Sequence, residues 1–105
     1  MELKHISQDT FAAEIANYEG AALIDFWADW CMPCKMMAPT FEALAEKRAD
    51  VKFCKINVDE NPALAMQFGI DAIPAFVLVK GGKAIDKAVG VMSEQQLADF
   101  LEKNV

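Results

Sequence analysis

Positive charge is scarce in this chain of 105 residues, which has 10 lysines and arginines against 16 aspartates and glutamates and a formal net charge of −6. A nucleic-acid-binding surface needs clustered basic side chains that displace counterions from phosphates, and the sequence has no such cluster. It also has no apolar run near the roughly 18 residues that span a bilayer. These deficits exclude nucleic-acid binding and membrane insertion from the functions that we expect.

Cysteine is also limited, and its odd count of three excludes a fully paired disulfide framework within one chain. The start of the chain, Met1 to Ile6, lacks the basic and apolar pattern of a secretory signal. We therefore expect a cytoplasmic protein. In that reducing compartment a close cysteine pair is more often redox-active or metal-binding than structural.

The hydrophobic share of 54% is high enough for a packed core, and no repeat, low-complexity stretch or linker interrupts the chain. High apolar content with modest net charge argues against disorder. Length and composition together predict a single domain over residues 1–105.

Hydrophobic periodicity predicts strands that alternate with helices. Strands are expected at 3–6, 21–28, 51–58, 74–80 and 83–90, and helices between Ser7 and Gly20, after Cys34, from Pro62 to Gly69 and after Ser93. The run 21–28 is almost continuously apolar, as in a strand buried on both faces. Gly81-Gly82 predicts a hairpin that makes the last two strands antiparallel. The fold class is therefore α/β, a central mixed β-sheet flanked on both faces by helices, in the order β-α-β-α-β-α-β-β-α.

Cys31 and Cys34 lie where the buried strand ends and the next helix begins. A helix N-terminus has unpaired N–H groups and a partial positive charge, both of which favour a thiolate. We expect Cys31 to be the outer sulfur, which attacks a substrate disulfide, and Cys34 to lie beneath it and resolve the mixed disulfide. A zinc half-site and an inactive pair are the alternatives. Zinc needs four ligands, and the only other soft candidates, Cys54 within a strand and His5 near the N-terminus, form no second close pair.

These cysteines stand in a segment that resembles the thioredoxin family, and the resemblance covers the whole chain. It rests on Trp30-Cys31-Met32-Pro33-Cys34-Lys35, Asp25-Phe26-Trp27-Ala28, Ile73-Pro74 and Gly81-Gly82. It implies the thioredoxin fold and a monomeric protein-disulfide reductase that cycles between a dithiol and a Cys31–Cys34 disulfide. It also implies that no cofactor is needed, that protein disulfides are the substrates, and that a thioredoxin reductase, an NADPH-dependent flavoprotein, supplies electrons.

Asp25 interrupts the apolar run, so its carboxyl group should be desolvated and its pKa raised towards neutrality. Such a group can exchange a proton during catalysis near pH 7. The resemblance implies that Asp25 accepts the proton of Cys34. The alternative is a structural carboxylate paired with Lys55, which matches a lysine of the family on the neighbouring strand.

The resemblance further implies a cis peptide bond at Ile73-Pro74, beside the cysteines, where the residue before the proline binds an extended substrate through its backbone. We expect a shallow apolar substrate groove there. Its predicted residues, with Pro33 beside them, are Trp30, Met32, Ala72, Ile73, Pro74, Val89 and Gly90. Residues expected to support catalysis are Trp30, Pro33, Lys35, Lys55 and Pro74.

Two positions depart from the family pattern. Met32 replaces the usual glycine between the cysteines, which bears on the redox potential, and Asp71 adds negative charge ahead of Pro74. Cys54, within a strand, is expected to be an inert buried thiol, with regulatory oxidation as the alternative. A thioredoxin-like oxidase or isomerase and a non-catalytic binding module are the rival functions. The intact cysteine pair, Asp25 and Pro74 argue against the binding module.

Overall fold

A computed structural model describes residues 3–104, so the prediction about the start of the chain rests partly on residues outside the described part, Met1 and Glu2. The strands are β1 (Lys4–His5), β2 (Ala21–Trp27), β3 (Val51–Asn57), β4 (Ala75–Lys80) and β5 (Lys83–Val89). The α-helices are α1 (Met32–Lys47), α2 (Pro62–Gln67) and α3 (Glu94–Asn104), and a π-helix covers Ala12–Ala16. The predicted order of elements is confirmed.

Two predicted boundaries were wrong. The first helix is a short π-helix that ends at Ala16 and not near Gly20. The second helix begins at Met32, before Cys34 and not after it, with Cys31 as its N-cap residue. Both differences arise at helix ends, where local hydrogen bonds decide the boundary and the apolar pattern carries little information.

The five strands form one mixed sheet in the order β1-β3-β2-β4-β5. The pairs β1/β3 and β2/β3 are parallel, whereas β2/β4 and β4/β5 are antiparallel. The β4–β5 connection is the predicted hairpin, with positive φ angles of 58° at Gly81 and 80° at Gly82. Two successive positive φ angles are what a two-residue turn needs to follow the twist of the strands.

Helices cover both faces of the sheet. On one face, α1 and α3 pack against Leu23 of β2, Phe53 of β3 and Phe76 of β4. On the other, Ile15 of the π-helix and Leu64 of α2 pack against the remaining strand residues. β2 lies at the centre and is buried along both faces, which explains its almost continuous run of apolar residues.

Side-chain capping starts α3 as predicted. The backbone N–H of Gln96 donates to Oγ of Ser93 at 3.1 Å, and that of Ser93 donates to Oε1 of Gln96 at 2.9 Å. This reciprocal pair satisfies donors that a helix start leaves free. The predicted apolar stripe of α3, Leu97, Phe100 and Leu101, is buried.

No helix among residues 3–104 has the length and apolar content needed to cross a bilayer.

The hairpin glycines allow a test of this packing. A Cβ atom on Gly82 would lie 2.3 Å from the backbone oxygen of Ala16, whereas on Gly81 the nearest atom would be 3.9 Å away. A left-handed φ alone costs a non-glycine residue roughly 1–2 kcal/mol. We expect Gly81→Ala to lower the free energy of unfolding by about that amount. Gly82→Ala should lower it by more, since the clash adds to the φ strain.

Urea unfolding of both variants, followed by circular dichroism, measures this difference. Equal losses in the two variants, or a larger loss at Gly81, would show that the approach of the hairpin to the π-helix is not as tight as described.

Candidate active site

The two cysteines of the motif lie at the start of α1, directly after the loop that follows β2. Cys31 is the N-cap residue, with extended backbone angles, and Pro33 occupies the first turn. The backbone N–H of Cys34 donates to Sγ of Cys31 at 3.2 Å. Proline is well suited to this turn because its missing N–H would have had no partner within the helix. The sulfur of Cys31 thus takes the place that a serine or aspartate oxygen has in most helix caps.

Cys31 and Cys34 are joined by a disulfide, with their Cα atoms 5.2 Å apart. Both residues are buried in this oxidised state, at 4% and 3% exposed, and these values are too similar to rank the two sulfurs, so the outer position of Cys31 stays a prediction. Both sulfurs belong to a small apolar cluster with Ala28, and Trp27 and Ile73 pack against it. What distinguishes Cys31 is the hydrogen bond that its sulfur accepts.

The peptide bond Ile73-Pro74 is cis, as the resemblance implied. Pro74 is buried, and its carbonyl oxygen accepts a hydrogen bond from the N–H of Gly90 at 2.8 Å, which ties this loop to the end of β5. Ile73 reaches the disulfide cluster. Its own main-chain groups make no hydrogen bond to another residue within 3–104.

A cleft of about 380 Å³ lies beside the disulfide. Its lining residues are Trp30, Val58, Ile70, Asp71, Ala72 and Ile73. Three predicted groove residues, Trp30, Ala72 and Ile73, therefore line it. The remaining predicted groove residues, which do not line this cleft, are Met32, Pro33, Pro74, Val89 and Gly90.

Several of these remaining residues border the site from outside. Met32 is 65% exposed on the first turn of α1, and Val89 is exposed at the end of β5. Lys35 is also exposed on α1. The structure thus places an open apolar surface, and not an enclosed pocket, around a buried disulfide.

Trp30 is held in place by a residue that the sequence did not identify. Its Nε1 donates to Oδ2 of Asp59 at 2.8 Å, while the indole remains 66% exposed. Asp59 lies just after β3, and its own N–H donates to Oδ1 of Asn57. The single signal in the sequence was that an indole N–H needs an acceptor, which does not say which of 16 acidic residues supplies it.

Asp25 is 1% exposed and lies in β2 between Lys55 of β3 and Phe76 of β4. It shares the face of Leu23, which α1 covers, and it is nearer the carboxyl end of β2, where α1 begins. Neither of its carboxyl oxygens has a hydrogen-bond partner among residues 3–104. Burial raises the pKa of Asp25 to about 7, and the nearby charge of Lys55 offsets part of that rise.

Lys55 does pair with Asp25, as the alternative interpretation required, but the contact is loose. Nζ of Lys55 lies 3.8 Å from Oδ2 of Asp25 and 5.2 Å from the centre of the Trp27 ring. The pair falls short of a full hydrogen-bonded ion pair, because the carboxylate lone pairs stay unsatisfied. The arrangement leaves Asp25 able to gain and lose a proton near neutral pH.

The third cysteine is remote from this chemistry. Cys54 is fully buried in β3 and packs on the sheet face opposite α1. Burial raises the pKa of its thiol to about 11, so the reactive thiolate is suppressed. Among residues 3–104, no group of three or more His, Cys, Asp or Glu side chains is arranged to hold a metal ion.

Comparison with known proteins agrees with this geometry. The family model described as Thioredoxin matches residues 2–103. A protein named Thioredoxin from Haemophilus influenzae is 41% identical over 99% of this chain and 98% of its own length. Thioredoxin 2 of Chlorobaculum tepidum is 42% identical over 94% of this chain and 92% of its own length. Thioredoxin 1 of a Nostoc species is 39% identical over 95% of this chain and 94% of its own length.

The raised pKa of Asp25 predicts how stability depends on pH. In the folded state this carboxyl group titrates near 7, whereas its ordinary value is 3.8, so the folded protein binds the proton more tightly than the unfolded chain. The free energy of unfolding should therefore fall as pH rises from about 4 to about 7 and level off above. At about 1.36 kcal/mol per unit, the full fall is of the order of 4 kcal/mol.

Urea titrations of the oxidised protein between pH 4 and 9 measure this dependence. Asp25→Asn should remove most of the fall and be more stable than the parent at pH 8. Lys55→Met is the matched change at the partner, and it should enlarge the fall and extend it to higher pH, since Lys55 opposes the rise in the pKa of Asp25. Parallel profiles for the parent and Asp25→Asn would contradict the assignment.

Proposed function

This chain belongs to the thioredoxin family, and from that premise we propose which residues carry each step of its chemistry. The family and the Cys31–Cys34 disulfide make the protein a thiol-disulfide oxidoreductase of the protein-disulfide reductase type. The redox-active group is the cysteine pair itself, and residues 1–105 act as one domain. The observation that carries the proposal is the sulfur of Cys31 at the helix cap, bonded to Cys34 beside an apolar cleft.

Cys31 is the attacking residue in the reduced protein. A thiolate at the N-cap of α1 would accept the N–H of Cys34 that its sulfur already accepts as a disulfide, at 3.2 Å. A hydrogen bond to a charged acceptor is stronger than one to a neutral acceptor, and the helix dipole acts in the same direction. Attack on a substrate disulfide joins Cys31 to one substrate sulfur and releases the other as a thiolate.

Cys34 resolves the intermediate. Its sulfur attacks Cys31, the substrate leaves as a second thiolate, and the protein keeps the Cys31–Cys34 disulfide. The thiol of Cys34 must lose its proton for this step. Asp25 lies beneath the start of α1, carries no hydrogen bond within 3–104, and has a pKa of about 7, which suits it to accept that proton. Lys55 keeps the anionic form of Asp25 accessible.

The cleft and the loop of Ile73 receive the substrate. The free main-chain groups of Ile73 can pair with an extended peptide next to its cysteine, in the manner of an added strand. Trp30, held by Asp59, forms one wall. The contact surface is bordered by Met32, Pro33, Pro74, Val89 and Gly90. The exposed Lys35 lies with Met32 at the N-terminal end of α1. Contacts made largely through backbone and apolar surface fit many protein disulfides.

Electrons must be returned to the disulfide after each turnover. We propose a thioredoxin reductase, an NADPH-dependent flavoprotein, as the donor, and we propose that this chain works as a monomer in the cytoplasm. The chain has one close cysteine pair and no disulfide framework of the kind that small secreted domains use, which supports a reducing compartment. Acid-quenched alkylation of cell extracts would show the pair largely reduced in that compartment.

The first test uses insulin, whose reduced chains precipitate, with dithiothreitol as reductant. The parent protein should accelerate the reduction of insulin, and Cys31→Ser should abolish that acceleration. Cys34→Ser should accumulate a mixed disulfide between Cys31 and substrate, visible by mass spectrometry. Cys54→Ala is the control and should react like the parent, because Cys54 lies on the other sheet face.

A mixed disulfide that accumulates in Cys31→Ser instead would reverse the assigned roles. A reduction potential well above the glutathione poise would favour the oxidase or isomerase. Absence of turnover by the intact protein would favour a binding module.

The second test concerns Asp25. Proton transfer by a positioned side chain contributes typically 10²–10⁴-fold. We expect Asp25→Ala to slow release of the reduced substrate by roughly tenfold or more at pH 6–7. The gap should close towards pH 9, where more of the Cys34 thiol ionises without help. Single-turnover kinetics with stopped-flow fluorescence measure this step, and equal rates across pH 6 to 9 would refute the role.

A further inference from the structure

The cleft beside the disulfide combines an apolar lining with one charged side chain. Five of its lining residues are apolar, and the sixth is Asp71. Ile73 joins the two features, since it lines the cleft and also packs against the cysteine cluster. A substrate segment bound in the cleft would therefore pass Asp71 while its disulfide lies at Cys31.

The charge of Asp71 has no partner within the described chain. Asp71 is exposed in the irregular segment between α2 and β4, and its carboxylate forms no ion pair and no hydrogen bond with other residues in 3–104. In contrast, Asp50 and Asp86 are paired with Arg48 and Lys103. A carboxylate left free at the edge of an apolar cleft is available to a ligand.

Two further carboxylates lie around Trp30. Asp29 precedes it and is exposed, and Asp59 accepts the hydrogen bond from its Nε1. Neither forms an ion pair with any residue from 3 to 104. These two carboxylates therefore add negative charge around Trp30 to that of Asp71. An approaching acidic segment is repelled there, and a basic one is attracted.

We propose that this cleft selects protein disulfides whose cysteine is flanked by lysine or arginine, and that Asp71 is the residue that determines this preference. This inference rests on the proposed function, because it names the substrate class of the same site. The occupant is an extended segment with a basic residue close to its cysteine. Lysine and arginine fit both parts of the cleft, because their aliphatic stems can cover the apolar lining while the charged head reaches a carboxylate.

The experiment uses three synthetic disulfide-linked peptides of equal length in which the residue flanking the cysteine is Lys, Gln or Glu. The prereduced protein is mixed with each peptide, and the rate is measured at about 20 mM and about 300 mM salt. We expect the reduction rate to be highest for the Lys peptide, intermediate for the Gln peptide and lowest for the Glu peptide. The ratio of the Lys rate to the Glu rate should fall at high salt as screening increases. Exposed ion pairs predict roughly a two- to fivefold effect at each step.

Variants separate Asp71 from the overall charge of the protein. Asp71→Asn keeps the shape of the side chain and should reduce the ratio of kcat/KM for the Lys peptide to that for the Gln peptide two- to fivefold. Asp71→Lys should invert the order. Glu46→Gln removes the same charge at the far end of α1, about 20 Å from Met32 at about 1.5 Å per residue, and should have no effect on the ratio.

An unchanged Lys-to-Glu ratio in Asp71→Asn, or an equal loss in Glu46→Gln, would overturn the inference. If insulin is reduced but the three peptides react alike, the preference is refuted while the proposed function stands. If neither insulin nor any peptide is reduced, the proposed function fails and the inference fails with it.

Discussion

The hydrogen bond from the N–H of Cys34 to the sulfur of Cys31 is the contact on which the rest of the site depends. It exists because β2 ends at Trp27 and α1 begins at Met32, so that only a short loop separates a central strand from a helix N-terminus. The sheet holds the strand, and the packing of Phe41 and Leu44 of α1 on the sheet holds the helix. The position of the sulfur relative to the free N–H groups is therefore set by the core and not by the loop.

A buried carboxyl group without hydrogen bonds is costly, and Asp25 shows how this fold carries that cost. Its neighbours in the sheet, Lys55 and Phe76, supply one distant positive charge and one apolar face. A closer lysine would satisfy the carboxylate, lower its pKa and remove its ability to take up a proton near neutrality. At a separation of 3.8 Å, Lys55 offsets only part of the rise in the pKa of Asp25, which stays near 7. The stability lost as pH rises from about 4 to about 7 and the capacity to accept a proton thus have one cause, which is desolvation.

The sequence was informative where one physical requirement dominates a stretch of residues. The apolar run of β2, the paired glycines of the hairpin and the reciprocal cap of Ser93 and Gln96 each have a local cause, and each was predicted. The cysteine pair was placed at the start of a helix, but the first residue of α1 was missed, because cysteine has no strong preference for the N-cap position.

Other features depend on contacts between distant parts of the chain or on redox state. Asp59 meets Trp30 only after β2 and β3 pair, and Val58 and Ile70 join the cleft from separate loops. Both cysteines are buried in this oxidised form, whereas the reasoning from helix geometry concerned free thiols. The family resemblance implied the cis bond at Pro74, which base rates for proline alone would not have favoured.

Three aspartates around the disulfide show how one residue type takes three roles through its surroundings. Asp25 lies in the low-dielectric interior, where its protonation state can change near neutral pH. Asp59 is engaged by the indole of Trp30, so its charge is used to hold a wall of the cleft. Asp71 is exposed and has no partner within 3–104, so it acts through its electrostatic field alone. Because that field acts on whatever enters the cleft, a substitution at Asp71 can change selectivity while the cysteine pair that carries the thiol chemistry stays in place.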